Sequence, residues 1–77
     1  MNWSNVFIDI QQWMADSNHV SKKYPITSDK YWDWLIQSIG ELGNRYNNHP
    51  VVLAFLTVLI KIQEDSYKQV VGGNANG

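Results

Sequence analysis

The chain has 77 residues, no cysteine, and a formal charge of −1 from six basic and seven acidic side chains. These figures exclude a disulfide framework, thiolate metal sites and the basic footprint of a duplex-DNA binder. With His19 and His49 as the only imidazoles, a zinc site is not expected either.

One domain of this length lies near the lower limit for a self-sufficient core. Folds of this size add disulfides, metals, tight packing or oligomerisation. Only the last two are open here. Four Trp, four Tyr and two Phe serve both, because aromatics bury much area per residue.

The first helix is expected over 3–16. Trp3, Val6, Phe7, Ile10, Trp13 and Met14 fall within an arc of about 120°, the width of one core-facing side. Asn2 is placed to cap it. Ile8 projects elsewhere, as a scattered surface aliphatic. Met1–Asp16 has no basic start and carries Asp9, Gln11 and Gln12, so it is not a signal peptide.

Ser17–Thr27 reads as a connector. It has no helical period, and Tyr24-Pro25 favours an extended backbone. Val20, Tyr24 and Ile26 can fold it back onto the bundle. Lys22, Lys23 and Tyr24 are its one basic-aromatic cluster, the only hint of single-strand nucleic-acid binding.

The second helix is expected over 29–47, capped by Thr27 or Ser28. Its apolar stripe is Tyr31, Trp32, Leu35, Ile36, Ile39, Leu42 and Tyr46. Trp34 projects away from that stripe, among Asp33, Gln37, Glu41 and Arg45, at about 100° per residue. A large aromatic there either packs under the connector or meets a partner. Trp34, Tyr31, Asp33, Gln37 and Arg45 are therefore the candidate partner-binding residues, an aromatic and an arginine in a polar ring. Glu41 and Arg45 are spaced as an i,i+4 ion pair. Gly40 and Gly43 weaken the helix, and close approach of a neighbouring helix would explain both.

Asn47 or Asn48 ends this helix. Asn48 or His49 caps the third, with Pro50 in its first turn. So short a link predicts an antiparallel helical hairpin.

The third helix is expected over 50–70. The run from Val51 to Ile60 has ten apolar or small residues, and a bilayer span needs about twenty, so it is read as a core helix. Its apolar arc is about 220° wide, beyond the stripe of a surface helix, which predicts a central position. Val51, Val58 and Ile62 form one flank; Leu53, Ile60 and Tyr67 form the other. One flank is expected to remain for a second chain. Residues 72–77 (GGNANG) are expected to be a disordered tail after a single domain over 1–71.

No catalytic constellation is found. Asp9 and Asp16 stand too far apart for a coupled pair. Asp29 and Asp33 read as a solvated helix start favoured by the dipole. Asp16 and His19 lack a nucleophile motif beside them.

In texture the chain resembles the small Asn-, Ile- and Lys-bearing accessory proteins of low-GC Gram-positive bacteria and their phages. Many of those act by binding and blocking, or adapting, another protein. Small helical bacteriocin-immunity proteins are similar in size and helicity. The resemblance is one of overall composition, rests on no motif and assigns no residue. The expectation is an all-α three-helix bundle: a non-enzymatic, cytoplasmic interaction module that forms a homodimer and engages a larger protein as adaptor or inhibitor. No cofactor, metal, membrane or duplex-DNA partner is expected. A single-strand-binding accessory protein and an immunity-type protein are the alternatives.

Overall fold

A computed structural model describes residues 1–72. Three helices follow one another: α1 (Trp3–Lys23), α2 (Asp29–Arg45) and α3 (Pro50–Gly72). The described residues contain no strand, and no helix among them is long and apolar enough to cross a membrane. The tail expected over 72–77 lies outside the described residues, except that Gly72 ends α3.

Each helix start has its cap. Asn2 accepts from the Asn5 amide at 3.2 Å, and Ser28 accepts from the Lys30 amide at 3.2 Å. His49 Nδ1 accepts from the Val51 amide at 3.2 Å, directly before Pro50. These acceptors satisfy amides that the first helical turn leaves without a partner.

The turn between α2 and α3 is built by two asparagines. Asn47 and Asn48 both take a left-handed backbone, each with φ 55°. Asparagine tolerates that region better than most side chains. The Asn48 amide reaches the Gly43 carbonyl at 2.9 Å and the Asn47 amide reaches Asn44 at 3.1 Å. That bond pair is a Schellman cap, and it closes α2 at Tyr46. It also brings α3 against Gly43. A Cβ there would lie 3.1 Å from Asn48 Oδ1 and 3.5 Å from the Leu53 and Leu56 side chains. Gly40 differs: nothing lies within 4 Å of its missing Cβ, so close packing does not explain it.

α1 runs seven residues past its expected end at Asp16, and the connector shrinks accordingly. The buried stripe continues from Val6 and Trp13 through Ser17 to the half-buried Val20 and Tyr24. The Ser17 and Ser21 hydroxyls donate to the Met14 and Asn18 carbonyls, at 2.7 and 2.9 Å, so these residues are accommodated within the helix without an unpaired hydroxyl. Lys22 and Lys23 then sit in the last turn, where cations favour the dipole.

α2, not α3, occupies the centre. α1 packs on one side of it and α3 on the other, while α1 and α3 approach each other less closely. Tyr31, Leu35 and Leu42 of α2 join Val6 and Trp13 of α1 and Val52, Leu56 and Leu59 of α3 in one core. Tyr31 binds all three helices. Its hydroxyl donates to Gln63 Oε1 on α3 at 2.5 Å, beside Ser17 of α1. Trp32 donates to the Ile26 carbonyl at 2.7 Å and meets Tyr67 edge-on at 5.9 Å. Ile36, read as part of the core stripe, is instead 69% exposed.

Candidate interaction interface

The two surfaces singled out by residue pattern have different fates. On the α2 surface, Trp34 is half-buried. Its ring stacks on Trp13 of α1, with centroids 5.3 Å apart and 20° between planes, and it tilts against Tyr31 at 5.7 Å. Its cover is therefore α1 itself rather than the connector. Tyr31 lies in the core, while Asp33 and Gln37 are exposed beside it. Arg45 does not pair with Glu41. Its guanidinium meets Asp9 of α1 at 3.0 Å.

Asp9 is the polar clasp between α1 and the end of α2. It accepts from the Tyr46 hydroxyl as well as from Arg45. The Tyr46 bond, above all, holds the Asp9 carboxyl below its usual range; burial opposes it, and Arg45 adds to the lowering. The same bond raises the Tyr46 hydroxyl above its usual range. A shallow groove of about 140 Å³ opens beside the clasp, lined by Asp9, Gln12, Asp16, Ser38, Glu41 and Arg45. Its carboxylates already have partners in part: Asp16 accepts from Gln12 at 2.9 Å. The clasp joins two helices through one carboxylate oxygen, Oδ2, which meets both Tyr46 and Arg45.

A lowered carboxyl pKa stabilises the fold above the unfolded value, near 4, and that stabilisation is lost as pH falls through the folded value. A raised hydroxyl pKa stabilises below about 10 and is lost above the folded value. One bond underlies both effects. Tyr46→Phe and Asp9→Asn should therefore lower the urea midpoint most between about pH 5 and pH 9. The gap to wild type should close on acidification below about pH 4. A gap constant from pH 3 to pH 7 would remove the clasp.

Within the basic-aromatic cluster, Lys22 is exposed, and Tyr24 already has cations from α1 and α2 near its ring. The Lys23 and Lys30 ammonium groups lie 5.5 and 5.3 Å from the Tyr24 ring centroid. Both cations thus already lie over the aromatic that would stack a base.

The other surface lies on α1 and α3. The two flanks of α3 differ in contact more than in exposure. Leu53 reaches toward Gly43 and Tyr67 toward Trp32, both on α2, yet they stay 41% and 38% exposed; only Ile60 packs against the core. Val51, Val58 and Ile62 remain exposed. Phe55 shares their side of α3 and meets Phe7 of α1 edge-on at 5.7 Å. Trp3 meets His49 in the same way at 5.6 Å. These contacts place α1 beside the exposed flank, with its own apolar residues on the same side. Trp3, Phe7 and Met14, read from the periodicity as core, are exposed there.

An apolar face results on the side where Phe7 meets Phe55 and Trp3 meets His49. Trp3, Phe7, Met14, Val51, Val58 and Ile62 are each 38–56% exposed. Helical phase closes it with polar residues: Asn18 and Ser21 beyond Met14, Asp65 and Ser66 beyond Ile62. Lys61, about 60° from Val58, and Asp65 form an ion pair along the α3 edge of the face at 3.4 Å. The α1 half is not legible in the sequence, because a stripe of about 120° does not show where its cover ends. Only the placement of α2 shows that half of it has no cover. Compared with known protein families, curated proteins and solved structures, the chain matches none.

Proposed function

We propose that this chain is a non-enzymatic helical module that acts through protein–protein contact, as an adaptor or inhibitor, with the α1/α3 face as its contact surface. The carrying observation is that face. With roughly 200 Å² on a large apolar side chain, its six exposed residues leave on the order of 500–600 Å² open. That is the upper end of the largest patch on an ordinary monomer, about 300–600 Å². Its make-up favours contact as well: aromatic and methionine side chains are enriched at interface centres, and charges are depleted. The Trp34 surface supports the reading less, since Trp13 already takes one face of that ring.

Position-specific photocrosslinking tests the proposal. A photoreactive residue in place of Phe7 should capture a protein other than this chain in cells that make it. One in place of Ile8, exposed on another side of α1, should not. No capture at Phe7, or equal capture at both positions, overturns the reading.

A further inference from the structure

We infer that the partner of the α1/α3 face in the free protein is a second copy of this chain, seated on it by a twofold axis. The inference rests on reading that face as a contact surface. Three observations select a second copy.

Area comes first. A twofold pairing covers the face on both copies, removing about 1,100 Å² before any rim is counted. A specific interface needs about 1,000 Å². The face is therefore just large enough when it meets its own equal.

Charge comes second. The charged groups at the α3 edge of the face, Lys61 and Asp65, are paired with each other at 3.4 Å, which leaves little net charge there to steer a charged partner. Each copy has a formal charge of −1, so two copies repel little. An apolar face with a self-paired charged edge is complementary to another of the same kind.

Spacing comes third. On α3 the stripe is Val51, Phe55, Val58 and Ile62, with steps of four, three and four. That order is unchanged on reversal. A twofold axis between Phe55 and Val58 therefore sets Val51 of one copy against Ile62 of the other, and Phe55 against Val58. The two α3 helices run antiparallel, and both residues of each pair come from the same patch, as an isologous interface requires. Trp3, Phe7 and Met14 flank that seam. A chain with a core this small gains from such pairing what disulfides or metals supply elsewhere. Paired in this way, the face stays masked until a larger protein competes for it.

Sedimentation equilibrium over a concentration series tests this on the full chain. Wild type should show twice the 8.9 kDa chain mass. Val58→Lys and Ile62→Lys, made separately, should each raise the dimer dissociation constant at least about 100-fold, because an unpaired ammonium would be buried at the seam. Both sites are exposed in the single chain, so helicity should not change. Ile8→Lys should leave the dimer intact. Wild type at 8.9 kDa throughout, or a dimer that neither seam variant weakens, overturns the second-copy assignment. A monomer that still captures another protein from Phe7 would leave the contact surface standing and remove only this assignment.

Discussion

Trp13→Ala should cost about 3–5 kcal/mol, the range for removing a large aromatic from a core. A domain of this size has roughly 4–12 kcal/mol of total stability. The loss is therefore a large share of the total, and at the lower end of that range it leaves the variant partly unfolded at room temperature. The reason is concentrated in one side chain. Trp13 is buried, stacks on Trp34, and donates from its indole Nε1 to Ser38 Oγ at 2.8 Å. Ser38 in turn donates to the Leu35 carbonyl at 3.1 Å. Removing the indole opens a void between α1 and α2 and strips the cover from Trp34. Trp34→Ala should cost less. It loses a stacking contact of about 0.5–1.5 kcal/mol and burial that is only partial. Urea unfolding followed by circular dichroism separates the two. A Trp34 variant weaker than the Trp13 variant would mean that α1 does not anchor through Trp13.

That asymmetry between two stacked tryptophans marks the limit of what periodicity can reveal. A stripe gives the direction of one neighbour. α2 has two, so its buried arc extends past the stripe on the α1 side, and Trp34 falls inside it while Ile36 falls out. The helices themselves are legible because they are delimited by chemistry: Asn2, Ser28 and His49 at the starts, Asn47 and Pro50 at the break. The second half of α1 is not. Ser17, Asn18 and Ser21 read as connector residues, and nothing local reveals that two of their hydroxyls bond back to helix carbonyls. The exposed flank of α3 is legible as a surplus, since its apolar arc is too wide for one neighbour. Which flank is left over is not, because that depends on the side from which α2 approaches. The α1 contribution to the same face is hidden for a related reason. Trp3, Phe7 and Met14 share a phase with residues that are buried, and only the wider separation of α1 from α3 leaves them uncovered.

Tyr31→Ala should cost about as much as Trp13→Ala, roughly 3–5 kcal/mol, but through all three helices at once. Tyr31 is among the largest fully buried side chains, and its hydroxyl reaches Gln63 of α3 beside Ser17 of α1. Tyr31→Phe isolates the polar part. The ring stays, one hydrogen bond is lost, and Gln63 is left facing an apolar edge. About 1 kcal/mol should go at neutral pH, the usual net value of such a bond. Burial raises the Tyr31 hydroxyl above its ordinary range, with Ser17 opposing in part. A raised pKa means stability that is complete below about 10 and lost as pH rises through the folded value. The fold should then weaken in alkali because a buried phenolate has too few donors. Phenylalanine at this position removes that ionisation. The deficit of Tyr31→Phe should therefore shrink above about pH 10, whereas Tyr46→Phe leaves the Tyr31 contribution in place. Thermal unfolding at neutral and alkaline pH decides the matter. A deficit for Tyr31→Phe that grows with pH would show that this hydroxyl is not shielded at the meeting point of the three helices.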